Sequence, residues 1–233
     1  MDVSIIQESI PRLLHGAATT IELTAASLVI GLCLAVPFAV MRTHRNPIFW
    51  MPIYAFNFYF RGTPLLVQIF LVYYGSGQFQ LLLMQVGLWV FFQKASFCAV
   101  LTLSLNTAAY TSEILRGGIE AIPYGEIESA RACGMSGFLL YRRIIFPKAF
   151  RLAWPAYTNE VVFLLQATSL VSIITIMDIT GAARMIASRS FAFYETYITA
   201  AVFYLILVYG VLFVFRKVEY RLSGHLRSPS MNG

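Results

Sequence analysis

Glu128-Ser129-Ala130, three residues, Gly134, nine residues, then Ile144-Ile145-Phe146-Pro147: this stretch decides how the rest of the chain is read. It is polar at its start and punctuated by glycine, and apolar runs flank it on both sides. Pro123-Tyr124-Gly125 signals a turn, and Glu126 and Glu128 stand early in a short helix-forming run, where carboxylates suit the helix dipole. Gly134 breaks that run. Ser136 is a natural N-cap for a second helix over 137–146, which Pro147 is expected to end. Small residues at Ser129, Ala130 and Ala132 would let such a helix enter a groove on another protein closely. The same residues also suit an amphipathic loop lying on a membrane surface, with Arg142 and Arg143 beside Phe138 and Leu139.

Outward from this stretch the chain is apolar. Of 233 residues 58% are hydrophobic and 12% charged, and the mean hydropathy is +0.70. That is too apolar for one soluble core, so the expected environment is a bilayer, with lipid as a partner. The net charge of +6 comes from Lys and Arg in short gaps between apolar runs, where they anchor helix ends, and no nucleic-acid partner is expected. Cys33, Cys98 and Cys133 and the histidines His15, His44 and His225 are scattered, so neither a disulfide framework nor a metal site is expected. Asp2 and Glu8 stand where a cleaved signal peptide would carry basic residues, so the first apolar run is expected to remain in the mature protein.

A membrane-crossing helix needs about 20 mostly apolar residues. Spans are expected at about 19–41, 50–75, 96–115, 153–176 and 196–215. The second is interrupted by Asn57 and by Arg61-Gly62-Thr63-Pro64. It reads as one kinked helix, or alternatively as a span that starts near Gly62 and runs into 81–84. The overall expectation is an all-α, polytopic membrane protein of about five spans and a single domain over 1–233. Counting Lys and Arg on alternate sides gives twelve against four, with Arg61 left over, and the twelve include those of the 116–151 loop and the 216–233 tail. The positive-inside rule therefore puts that loop and the C-terminus in the cytosol and the N-terminus outside.

The loop resembles the signature of the integral-membrane permease subunits of ATP-binding-cassette importers: Glu-Ala-Ala, three residues, Gly, nine residues, Ile, one residue, Leu-Pro. This chain departs from it at Ser129 and Phe146 and keeps Glu128, Ala130, Gly134, Ile144 and Pro147 in register. Arg61-Gly62-Thr63-Pro64-Leu65-Leu66-Val67-Gln68, Ser104-Leu105-Asn106 to Ala109-Tyr110, Glu113 to Ile119, and Asn159-Glu160 to Ala167-Thr168-Ser169-Leu170 are similar to the branch of polar amino-acid permeases for histidine, lysine, arginine, ornithine and opines. Gln166 stands where many members carry Lys. The resemblance covers about residues 17–220 and implies a type I importer transmembrane domain in the bacterial inner membrane, facing the periplasm with its N-terminus. It implies as partners two ATPase subunits, a second permease subunit, related or identical, and a periplasmic solute-binding protein. It also implies that Glu128, Ser129, Ala130, Gly134, Ile144 and Pro147 form the contact that couples ATP hydrolysis to transport.

No Gly-x-x-x-x-Gly-Lys-Ser/Thr phosphate loop occurs in the chain, so ATP and its magnesium are expected on the partner ATPase, with no cofactor and no catalytic residue here. The candidate solute path is drawn from intramembrane polar residues, which are costly unless paired or facing water: Arg61, Glu113, Asn159, Glu160, Gln166 and Ser169. Arg61 could face a solute carboxylate or pair with a helix carboxylate, and Glu113 stands three residues before Arg116, the spacing of an intrahelical ion pair. At about 100° per residue, Asn159, Gln166 and Ser169 fall within about an 80° arc with Glu160 beside it, either a polar face along the path or an interhelical hydrogen-bonding face. An acidic Glu160 would suit a cationic solute. The segment Asp178 to Glu195 is either a docking surface for the binding protein or a lid helix on the spans. A channel, a membrane-embedded enzyme and a passive scaffold are the competing classes. The first needs no Glu128 to Pro147 motif, and the second would need a nucleophile and base pairing that the chain does not offer.

Overall fold

The computed structural model describes residues 3–44 and 46–222, with side chains from Ser9 to Arg221. Asp2, Arg45 and the polar tail beyond Leu222, with His225 and Arg227, lie outside the described residues, as does the Glu8 side chain. The described residues form helices and no strand. In order these are α1 (Val3–Arg42), α2 (Pro47–Gly62), α3 (Leu65–Gln78), α4 (Gln80–Gln85), α5 (Trp89–Phe92), α6 (Ala95–Glu120), α7 (Tyr124–Ala132), α8 (Gly137–Leu140), α9 (Phe146–Ala167), α10 (Ile179–Ser190) and α11 (Phe193–Leu222). A π-helical turn, Tyr141–Ile145, joins α8 to α9, and a 3-10 segment, Thr168–Ile174, continues α9.

Among the described residues three helices are long and apolar enough to cross a membrane: Ser9–Arg42, Gly137–Ile174 and Phe193–Arg221, with a fourth crossing if α2 and α3 count as one broken span. At about 1.5 Å per residue α1 is about 60 Å long, twice a hydrocarbon core, so it extends well beyond the expected 19–41. The expected span at 96–115 is helical but falls outside that apolar set, because α6 carries Thr102, Ser104, Thr107, Thr111 and Ser112, all buried. Protein rather than lipid surrounds these hydroxyls: α6 packs against α1, α9, α3 and α2. The α1–α6 contact is close because Gly31 has no side chain, since a Cβ there would lie 2.3 Å from Thr107 Cγ2. The α6–α9 contact depends on Gly118 in the same way, its missing Cβ falling 2.5 Å from the Ala149 carbonyl oxygen.

Two expectations about proline are reversed. The segment 50–75 is not one kinked helix but two, bent by 103° at Thr63-Pro64. Proline pushes its predecessor out of the helical region, and Thr63 has φ −114° and ψ 145°. The carbonyls freed by the break are met by side chains: Gln68 Nε2 donates to Phe60 O at 2.8 Å and Thr63 O at 3.1 Å, and Asn106 Nδ2 donates to Phe60 O at 3.3 Å. Pro147, by contrast, ends nothing. The helix that starts at Gly137 runs through the π turn, where Phe146 N–H reaches back to Tyr141 O, and continues to Ile174.

Candidate functional site

The α7 turn is built as the sequence requires. Ser129 Oγ donates to Gly125 O at 2.7 Å, so it stays on its own helix. After Cys133 the chain turns left-handed at Gly134, φ +80°, with Gly134 N–H on Arg131 O at 2.9 Å and Met135 N–H on Ala130 O at 3.1 Å. This pair of bonds is a Schellman motif, which explains why position 134 takes glycine. Ala130 is buried with Ile119, Ile122, Leu140, Ile145 and Ala149, in a cluster that also takes in Ala35 and Ala39 of α1. A force on α7 is therefore felt by the ends of α1, α6 and α9 together. Between α7 and the following helix lies a groove of about 400 Å³ lined by Glu126, Ser129, Ala130, Met135, Ile144 and Lys148. Lys148 pairs with Glu126 across it. Glu128 is exposed and has no hydrogen bond or ion pair among the described residues, and Pro147 is exposed as well.

The candidate path residues do not behave as one set. Glu160, 8% exposed, points into the bundle, where Thr107 Oγ1 of α6 donates to its Oε1 at 2.9 Å. Asn159 and Gln166 lie exposed on the outer side of α9, and Ser169 is half-buried. Ser169 belongs to the 3-10 segment, so the arc drawn for an α-helix ends at Gln166. Arg61 makes no ion pair with a carboxylate among the described residues. Its guanidinium lies over the Tyr110 ring at 5.3 Å, and its charge acts on Glu160. Asn106 Nδ2 donates to Gln68 Oε1 at 3.0 Å in the layer of the Thr63-Pro64 break.

Glu113 ties three helices together. Arg42 Nε of α1 donates to its Oε1 at 2.9 Å, Asn57 Nδ2 of α2 to the same oxygen at 2.8 Å, and Arg116 Nε to Oε2 at 2.7 Å. The i,i+3 pair with Arg116 is as the spacing led one to expect, and Arg116 reaches Glu120 as well. The Glu113 bond, seconded by Glu120, pushes the Arg116 guanidinium above its usual range, against the opposing effect of burial. Sequence reasoning missed Arg42 and Asn57 here, Thr107 at Glu160, and Gln68 and Asn106 at the Thr63-Pro64 break. Gln68 and Asn106 sit inside the stretches already singled out, whereas Arg42 had counted only as a charge for orientation.

The loop before α10 holds another buried carboxylate. Asp178 caps α10, accepting from Gly181 N–H at 2.9 Å, Thr180 N–H at 3.2 Å and the Tyr204 hydroxyl of α11 at 2.9 Å. Burial pushes its carboxyl up, and those three donors oppose the shift. Ile179, Ala182, Ala183 and Ile186 pack α10 onto Leu13 and Ala17 of α1 and Ala200 of α11.

A polytopic helical bundle with a polar, part-buried mid-helix layer and a protruding, anchored short helix at one end defines a membrane transport subunit. Residues 27–224 match the binding-protein-dependent transport system inner membrane component family, and the chain belongs to it. It is a permease subunit of a binding-protein-dependent importer, a multi-pass inner-membrane protein. It is 48% identical over 228 residues to the nopaline transport system permease protein of Agrobacterium fabrum, covering 98% of this chain and 95% of that one. Identity is 42% over 223 residues to the octopine transport system permease protein of Rhizobium radiobacter, covering 95% and 90%. The histidine/lysine/arginine/ornithine transport system permease protein of Salmonella typhimurium is 41% identical over 233 residues, covering 97% and 99%. Among solved structures, an amino acid ABC transporter crystallised with histidines superposes with a TM-score of 0.81 at 30% identity, covering 95% of this chain and 99% of that one. An inward-facing methionine ABC transporter, at 19% identity and a TM-score of 0.68 over 95% of this chain and 99% of its own, shares the fold.

Proposed function

We propose that this subunit carries a basic amino acid or an opine inward by alternating access, driven by ATP that partner ATPase subunits bind with magnesium and hydrolyse. In this reading α7 is the coupling helix on the cytosolic side, the N-terminus is periplasmic and the C-terminus cytosolic. Glu128 and the Gly134 turn meet the ATPase, with Ser129, Ala130, Ile144 and Pro147 shaping the contact. The observation that carries the proposal is the exposed, unpaired Glu128 on a helix whose opposite face is fixed into α1, α6 and α9. A carboxylate held out in this way is ready for a cationic or hydrogen-bond-donating partner, and movement of α7 would rock three long helices at once.

Solute would pass along Arg61, Glu160, Asn159 and Gln166, with Glu160 favouring a cation, while Glu113 positions the helices around the path. The polar outer side of α9 is unsuited to lipid and is assigned to a second permease subunit, whereas α11, apolar and largely exposed, is assigned to lipid. A periplasmic binding protein would deliver the solute, and the α10 region is the surface proposed for its docking. Glu128→Ala tests the coupling, since the side chain has no partner among the described residues to lose. Uptake into vesicles should fall by about tenfold or more, equivalent to at least about 1.4 kcal/mol, with the assembled complex still recovered intact. Uptake within twofold of the native level, or uptake that persists without ATP, would overturn the reading.

A further inference from the structure

Between the ends of α1, α6 and α9 nearest α7 the structure has a groove of about 360 Å³, lined by Val36, Leu115, Ile119, Phe146, Pro147, Ala149 and Phe150. Every one of these side chains is apolar, so the groove offers a ligand no polar side chain. Val36 stands six residues before Arg42, about 9 Å of helix, at the close of the apolar run of α1. The groove therefore opens where acyl chains give way to head groups. The α9 face that forms it continues past Phe146. Arg143 precedes Phe146, Pro147 and Phe150 by three, four and seven residues, the spacings that share one side of a helix, and Arg142 stands beside it. Both arginines are exposed, both lie in the π turn, and neither makes a hydrogen bond or ion pair among the described residues. Acids at this end are engaged elsewhere, Glu126 with Lys148 and both Glu113 and Glu120 with Arg116. Phosphate oxygens are acceptors that two neighbouring guanidinium groups bind well. An apolar cleft one helical turn from unpaired cations suits a phospholipid, and a head group carrying its own ammonium would bring positive charge back to the arginines, so the fit is to an anionic one.

We propose that this groove, with Arg142 and Arg143, binds one anionic phospholipid, its acyl chain along Phe146 and Phe150 and its phosphate across the two guanidinium groups. The π turn then has a use beyond making room for Pro147, since widened turns often mark functional positions. Leu115, Ile119 and Ala149 belong also to the cluster that buries Ala130, so the bound chain packs on the back of the joint that holds α7. Which leaflet supplies the lipid follows from the orientation proposed above, whereas the site itself does not depend on it.

Native mass spectrometry of the permease assembled with its ATPase partners tests this, by counting the lipid retained from detergent micelles that hold phosphatidylglycerol and phosphatidylcholine in equal amounts. The native complex should retain phosphatidylglycerol over phosphatidylcholine by about tenfold, the effect of one charge-assisted contact. Arg142→Gln with Arg143→Gln should bring that ratio to within about twofold of unity. Arg216→Gln with Lys217→Gln, which removes an exposed basic pair from α11 instead, should leave it at the native level. Val36→Phe, which fills the groove and spares both arginines, should weaken retention of phosphatidylglycerol, and soluble glycerol 3-phosphate should not displace the lipid. A native ratio near unity overturns the proposal. So does an equal loss in the α11 variant, which would mean diffuse charge, and so does displacement by glycerol 3-phosphate, which would mean a site for a free anion. If the Arg142 and Arg143 variant keeps its lipid preference but sheds the ATPase subunits, the arginines face the partner protein and the lipid site is refuted. Should that variant not be recovered, Val36→Phe decides, unchanged retention refuting the site.

Discussion

Glu113→Gln is the substitution that best measures what holds α1, α2 and α6 in register. It keeps the side chain's shape, so it leaves no cavity, but it replaces one acceptor oxygen with a donor facing an arginine and removes the charge. Arg42 and Glu113 are each 13% exposed, so their bond counts nearly in full, at about 2 kcal/mol for a charge-assisted contact. The Asn57 bond adds about 1 kcal/mol. Arg116, 28% exposed and able to keep Glu120, adds a few tenths after discounting for solvent. The expected loss is about 3 kcal/mol, near the low end for breaking a buried pair. For a chain of this size it lowers the melting temperature by roughly 6–12 °C. The assay is thermal unfolding of the purified complex in one fixed lipid and detergent, with Glu120→Gln as control, because Glu120 is 54% exposed and should leave melting unchanged. Melting of Glu113→Gln within about 2 °C of native would refute the reasoning. So would equal shifts for Glu113→Gln and Glu120→Gln.

Adjacent glycines at the end of α6 should respond in opposite directions. A Cβ at 118 meets the Ala149 carbonyl at 2.5 Å while one at 117 meets nothing within 4 Å, so Gly118→Ala should lower the melting temperature and Gly117→Ala should hold or raise it, gaining up to about 1 kcal/mol of helix propensity. Asp178 gives a pH signature. Its folded carboxyl is raised by burial, so the folded state holds the proton to higher pH than the unfolded chain does, and the stability it contributes is lost as pH rises above the usual aspartate range. Melting curves recorded from acid to neutral pH should show that decline in the native protein and a flatter profile in Asp178→Asn. Parallel profiles would disprove it.

Much of this arrangement is legible in the residues, and the parts that are not share a cause. The α7 helix, its arrest at Gly134 and its small-residue face follow from local chemistry, because a Schellman turn needs only the residues it contains. The length of the apolar runs also marks the long apolar helices, though not their ends. α1 begins at Val3, sixteen residues before the apolar run that announced it, since its first part is stabilised by packing on α10 rather than by lipid. Partners distant in sequence are invisible to such reading. Arg61 is a candidate for pairing with a carboxylate and makes no such pair among the described residues, whereas Arg42, 71 residues from Glu113, pairs with it. Glu160 proved to be more enclosed than Asn159 and Gln166, because one residue of α-helical rotation, about 100°, turns it from the outer side of α9 toward Thr107.

The two prolines show the same rule in the backbone. A proline removes one N–H and crowds the carbonyl four residues earlier, so in an apolar setting its consequences depend on who serves the freed acceptors. Prolines 11, 37, 52 and 155 also lie inside helices, so proline alone does not dictate a break. At Pro147 the preceding turn widens to π geometry, which gives the ring room and shifts the bonding by one residue, and the helix continues. At Pro64 side chains replace the backbone: Gln68, 2% exposed, serves Phe60 and Thr63, and Asn106 of α6 serves Phe60 and holds Gln68. A break so provided for need not heal, and it is what turns α3 away and leaves Arg61 at the open end of α2. The same two amides that permit the 103° bend thus also determine where Arg61 of the proposed path stands.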